Sequence, residues 1–255
     1  MVLQFDPGKH RYTIKKDDGK PIFTPSVTGI VGFMDDGKSG RLQGWAVKMG
    51  AEALRDELTL MMRTGVGIDE AQVERLVALT KAAYRKKTEG AAAVGTVVHA
   101  WIEEYIKSQI TSGTAKAKTP APPKNAQAQA GVEAFLAWAG DHDIEWLMSE
   151  RKVYSLAHHY CGTLDWLAKI DGVLVLGDNK TSNYMNDEYY YQLRAYQQAL
   201  EEEFEIEVQD RMVLKLGKEE PSFETHSAVA NKRNATDDLE VFLALRRVYR
   251  GRKDA

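Results

Sequence analysis

The dipeptide Asp171-Gly172 stands between two apolar runs, Leu164-Asp-Trp-Leu-Ala-Lys-Ile170 and Val173-Leu-Val-Leu-Gly-Asp178-Asn-Lys180. Asp-Gly between such runs signals a tight hairpin, because both central positions of that turn need φ > 0. With these two residues as the whole loop, Ile170 faces Val173, and counting outward places Asp165 directly opposite Asp178. Directly opposed β-carbons lie about 4.5–5.5 Å apart. Two carboxylates held that close repel each other, and a divalent cation, a hard ion that takes oxygen ligands, is the natural compensation. Alternation along the strand puts Lys180 on the same face as Asp178 and turns Asn179 the other way.

The 255 residues suffice for one sizeable core, or for a core with a helical annex. A formal net charge of -3 carries no global basic footprint, which argues against a protein that simply coats nucleic acid. A single cysteine, Cys161, excludes an intramolecular disulfide framework and a four-cysteine zinc or iron–sulfur site. It fits a reducing cytosol. No apolar run approaches the roughly 20 residues of a membrane span, and the N-terminus lacks signal-peptide regions. The expectation is a cytoplasmic protein.

Periodicity predicts a hairpin over 10–23, helices over 41–62 and 70–87, and a further helix from Ala91 or Thr96 to Ser108. Residues 111–126, with three prolines and few apolar side chains, read as a mobile loop. A helix over 127–141, a strand over 145–154 and the opening hairpin follow. Beyond them come a helix over 186–203, strands over 208–216 and 223–229, and a helix over 236–250. Strands in runs followed by helices favour an α/β (mixed α+β) fold with one central sheet.

Flanking motifs extend the hairpin. Gly95-Thr-Val-Val-His99-Ala-Trp-Ile-Glu103 precedes it, Ser149-Glu150 lies in the strand before it, and Gln192-Leu-Arg-Ala-Tyr196 follows on a helix. In this order the set resembles the PD-(D/E)XK nuclease superfamily, in its RecB-like exonuclease branch. The N-terminal His10-Arg-Tyr12, Pro25-Ser-Val-Thr28 and Leu42-Gln-Gly-Trp-Ala46 are similar to phage exonucleases and the mitochondrial genome maintenance exonuclease type. The resemblance spans roughly residues 3–203. Leu164 stands where the family name places a proline.

The resemblance implies a restriction-endonuclease-like core, a central mixed sheet flanked by helices, over 91–255. A hairpin and helical annex over 1–90 would join it in one compact unit. It implies a metal-dependent DNA exonuclease working from single-stranded ends in phage-type recombination, replication or repair. A structure-specific endonuclease and a non-catalytic DNA- or partner-binding protein are the alternatives. One or two Mg²⁺ or Mn²⁺ ions and no iron–sulfur cluster are expected. The expected partners are DNA and a helicase, single-strand-binding or recombination protein, with no membrane.

Carried onto these residues, the resemblance assigns Asp165 and Asp178 as catalytic metal ligands, joined by His99 and the Asn179 backbone carbonyl. On residues alone, a lone helical histidine reads more readily as structural. Lys180 is the group that orients or deprotonates the attacking water, and desolvation beside cations would lower its pKa. Glu103 lies one helical turn beyond His99. Glu150 is either an additional acidic group or a surface glutamate. Gln192, Tyr196 and Tyr189 share a helical stripe; they either hold the ligand loop and contact a nucleotide, or line the core with the Tyr196 hydroxyl satisfied by Gln192. Thr181 and Ser182 offer groups suited to a phosphate. Lys81, Arg85, Lys86 and Lys87, with Lys116, Lys118 and Lys124, read either as a groove for the nucleic-acid backbone or as a solvated face. His158 and His159 are loop residues placed to reach DNA.

Overall fold

The computed structural model describes residues 2–6, 11–15, 21–34, 38–112 and 118–253. These form eight strands and six helices of a mixed α/β fold. By compactness the chain divides into two units, Met1–Met34 with Val97–Ala255, and Asp35–Thr96. The expected boundary at 90/91 grouped the N-terminal hairpin with the helical annex, whereas the compact division places Met1–Met34 with the sheet. The link is physical. The Cys161 amide donates to the Pro25 carbonyl at 3.1 Å, and the Tyr12 and Thr163 hydroxyls lie 2.8 Å apart.

The Asp35–Thr96 unit is a helical pair, α2 (Lys38–Thr64) and the first part of α3 (Glu70–Ser112). Trp45 meets Tyr84 edge-on with centroids 5.5 Å apart, and Arg75 is ion-paired with Glu57. The sequence had suggested two helices over 70–108, but α3 is continuous. Gly90 and Gly95 lower helix propensity, yet Ala91-Ala-Ala between them is the best of helix formers and carries the backbone through.

In the larger unit, β1 (Val2–Asp6), β2 (Arg11–Lys15) and β3 (Pro21–Thr24) form an antiparallel sheet. The expected hairpin thus gains a third strand. A short helix α1 (Val27–Val31) follows, its first turn capped by Ser26 Oγ, which accepts the Gly29 amide at 3.0 Å.

The central sheet is built from β4 (Ile144–Ser155), β5 (Tyr160–Ile170), β6 (Val173–Lys180), β7 (Asp210–Leu216) and β8 (Phe223–Ser227), in that spatial order. All neighbours are antiparallel except β6 and β7, which α5 (Glu188–Phe204) joins by a crossover. α4 (Ala126–Gly140) covers one face, where Trp138 meets Trp166 and Trp146 at centroid separations of 5.6 and 6.2 Å. α5, α1 and α6 (Ala235–Lys253) enclose a second cluster that includes Val27, Leu164, Leu176, Leu193 and Phe242. Of the expected mobile loop, residues 113–117 lie outside the described residues. Beyond them Pro120 is buried, and the Trp101 indole donates to the Ala121 carbonyl at 2.9 Å.

The opening hairpin has the expected turn. Asp171 (φ 50°) and Gly172 (φ 86°) both occupy the left-handed region, and Ile170 pairs with Val173. The Asp171 carboxylate accepts the Asp143 amide at 3.0 Å and lies 2.8 Å from His142 Nδ1, tying the turn to the start of β4. The ladder runs without a shift from Ile170–Val173 to Trp166–Gly177. The sheet's bulge lies instead between β4 and β5, at Trp146–Met148.

Candidate metal centre

Trp166 explains why the hairpin stays closed up to Gly177. Its indole lies across the bare Cα of Gly177, where a β-carbon would come within 1.8 Å of the ring, and its Nε1 donates to Asn179 Oδ1 at 3.2 Å. Asn179 therefore points to the tryptophan face, as alternation requires. One residue further the strands part. Continuing the register sets Asp165 opposite Asp178, but the two make no ladder pair. The Asp165 Oδ2 accepts the Asn179 amide at 2.8 Å and so replaces the strand carbonyl. β5 takes a new neighbour beyond this fork: Ser26 bridges Cys161 in parallel orientation.

On the other side of β5, Ser149 pairs with Trp166 and Arg151 with Leu164, so Glu150 falls opposite Asp165. Glu150 has φ 47°, an uncommon conformation for a non-glycine residue inside a strand. Such outliers persist where the surrounding structure over-determines them and cluster at functional sites. From α3, His99 Nδ1 comes within 3.3 Å of Asp165 Oδ2. His99, Glu150 and Asp165 each bring a ligand atom to one place, all within 4.8 Å of one another. This trio can hold a metal ion. Glu150, weighed above as no more than an additional acidic group, is a member of it.

Asp178 lies beside the trio rather than in it. It is buried; Gln192 Nε2 donates to its Oδ1 at 2.7 Å, and Lys180 Nζ stands 2.5 Å from its Oδ2. Oδ2 is buried and held in the ion pair with Lys180. Two carboxylates and an imidazole, with the Asp178 carboxylate beside them, are a donor set that suits a divalent metal ion.

The electrostatics match this reading. Burial, reinforced by Asp165 and Glu103, pushes the Glu150 carboxyl up to about 8. Burial likewise raises Asp178 above the ordinary carboxylate range, against the pull of Lys180. A cation would relieve both. At Lys180 burial disfavours the charge, but Asp178 and Asp165 outweigh it and raise the pKa; the expected lowering refers to a lysine beside bound cations. Beside these two carboxylates it is held as an ammonium.

Gln192 directs its amide N–H to Asp178, and among the described residues no hydrogen bond joins it to Tyr196. Tyr196 is buried, its ring against Gly162, where a β-carbon would come within 2.5 Å of it. The Tyr189 ring lies 4.9 Å from Lys180 Nζ, and its hydroxyl is 3.1 Å from both Ser182 Oγ and Asn186 Nδ2. Ser182 Oγ donates to the Tyr184 carbonyl at 2.7 Å, and Thr181 is half-buried at the end of β6. Glu103 is ion-paired with Lys107 on α3, one turn from His99. The His158 ring stacks near Tyr160, and His159 Nδ1 lies 3.4 Å from the Tyr154 hydroxyl.

No family model and no curated protein matches the chain.

Of the lysines and arginines considered for a groove, Lys81, Arg85, Lys86 and Lys87 are exposed within the Asp35–Thr96 unit, Arg85 paired with Glu89 at 3.8 Å. Lys118 and Lys124 are exposed, and Lys116 lies outside the described residues. Among the described residues no helix is long and apolar enough to cross a membrane.

Proposed function

We propose that the protein is a divalent-metal-dependent deoxyribonuclease of the PD-(D/E)XK, RecB-like kind, acting as an exonuclease on single-stranded DNA ends. The observation that carries the reading is the convergence of His99, Glu150 and Asp165 beside Asp178 and Lys180, where β5 and β6 part. His99, Glu150 and Asp165 would hold a Mg²⁺ or Mn²⁺ ion, with Asp178 Oδ2 and the Asn179 carbonyl as further donors. Such an ion supplies Lewis acidity toward a phosphoryl oxygen and lowers the pKa of bound water.

The chain's own groups do the rest. Lys180 brings a fixed positive charge to a phosphate oxygen or orients the attacking water. The Tyr189 ring under its ammonium narrows the positions that charge can take. Gln192 holds Asp178 in place through Oδ1 and leaves Oδ2 turned toward Lys180. Asp165 keeps the fork open by occupying the Asn179 amide, so the site does not close into a continuous ladder.

The test is digestion of end-labelled linear single-stranded, linear duplex and circular DNA with Mg²⁺, Mn²⁺ or EDTA. Metal-dependent release from single-stranded ends is expected, with Lys180→Ala slower by about 10²–10³-fold. Cleavage of circles would overturn the exonuclease assignment, and no metal-dependent cleavage of any substrate would overturn the enzyme.

A further inference from the structure

The face of the sheet that carries Lys180 continues toward β8. β6 and β7 are parallel, with Lys180 in register with Lys215. The two lysines therefore share a face, one strand spacing apart, about 4.8 Å at the backbone. β7 in turn sets Lys215 beside Glu224. Lys215 Nζ lies 2.6 Å from Glu224 Oε1, and His226 Nε2 lies 3.2 Å from Oε2. The partners differ in freedom. The Lys215 side chain is 20% exposed and the Glu224 side chain 58%, so the sheet holds the lysine while the carboxylate can swing into water.

A cleft opens beside this row. It is lined by Ser182 and Asn183, from the loop after β6, and by Lys215, Lys218 and Phe223. The Phe223 side chain is partly exposed. Ammonium groups, amide and hydroxyl hydrogen-bonders and an aromatic face in one groove are the means by which proteins hold single-stranded nucleic acid. Glu219 and Glu220 also line the cleft; Glu219 accepts a hydrogen bond from Gln127 at 2.8 Å. These carboxylates repel phosphate and limit anion binding in the cleft to the vicinity of Lys215.

We propose that a single nucleic-acid strand continues from the metal centre into this cleft. Lys215 binds the phosphate next to the one at Lys180, and Glu224 is the group that this phosphate displaces. The placement of the scissile phosphate rests on the nuclease reading above.

Binding and cleavage separate the two ideas. Binding of a fluorescein-labelled single-stranded 12-mer is measured with Ca²⁺ at several salt concentrations, for the wild type, Lys215→Ala and Glu224→Gln, each checked for an unchanged melt. Lys215→Ala is expected to weaken binding about three- to tenfold and to reduce the salt slope by about 0.7, the value of one single-strand phosphate contact. Glu224→Gln, which frees Lys215, is expected to tighten binding.

Cleavage of the p-nitrophenyl ester of thymidine 5′-monophosphate, which has one phosphodiester and no neighbour, is expected to be unchanged by either substitution. An unaltered salt slope in Lys215→Ala, weaker binding in Glu224→Gln, no oligonucleotide binding by the wild type, or an equal loss on ester and oligonucleotide would each overturn the cleft assignment. If the wild type binds with the expected slopes yet cleaves nothing, the nuclease reading falls and the strand path stands.

Discussion

The two ends of the β5–β6 hairpin are built from the same strands and behave as different materials. Toward the turn, Trp166 to Ile170 pair rung by rung with Val173 to Gly177, sealed by an indole lying on a glycine. Toward the open end, a carboxylate takes the backbone amide that a strand carbonyl would otherwise receive, and the strands separate around charged groups. One end spends its hydrogen bonds on the ladder; the other diverts one and gains room for an ion. The lesson is that a site can be made at a sheet's centre, without a loop, by ending a ladder early and giving the released strand another neighbour.

The largest expected effect that would sharpen the contrast is Asp165→Asn. Its amide oxygen can still accept the Asn179 amide, so the fork and the thermal melt should persist. Metal-dependent cleavage should fall beyond the roughly 10–100-fold that loss of a supporting partner costs. A variant that melts much earlier, or cleaves normally, would break the division between a structural and a chemical end.

Gly177→Ala probes the closed end. A methyl group there meets the Trp166 ring, an overpacking that costs about 1–3 kcal/mol or more. Urea denaturation should show that loss, while metal affinity, measured by calorimetry, should change far less.

A third effect is a dependence on pH in the presence of chelator. The Glu150 carboxyl sits at about 8 when folded against a reference of 4.5, so the folded state binds its proton more tightly than the unfolded chain. Its contribution to stability is full below about pH 4.5 and is lost as pH rises through 8. Glu150→Gln should therefore lose less stability than the wild type between pH 5 and 8 in urea midpoints. A wild type that gains stability over that range, with the variant doing the same, would contradict this charge arrangement.

Much of the closed end was legible in the sequence because its determinants are local. Asp171-Gly172 supplies two residues that tolerate φ > 0, and register then follows by counting. The same count, applied to the preceding hairpin, would have found Glu150. Ser155 pairs with Tyr160 across Leu156–His159, and stepping back from there sets Glu150 against Asp165. That loop has no glycine or Asn-Gly to announce its length, so the register stayed hidden. The parting of the strands was not legible at all, since it depends on a side chain competing with a main-chain carbonyl.

The bridge between Ser26 and Cys161 has a consequence for how the molecule assembles. Pro25, whose carbonyl receives the Cys161 amide, is 136 residues away in the chain. During synthesis the first strands emerge long before the strand they must join. Closing so long a loop is entropically costly, and such distant contacts slow folding. The N-terminal arm is thus made well before the strand it docks on, and until β5 exists its apolar side chains have no partner there.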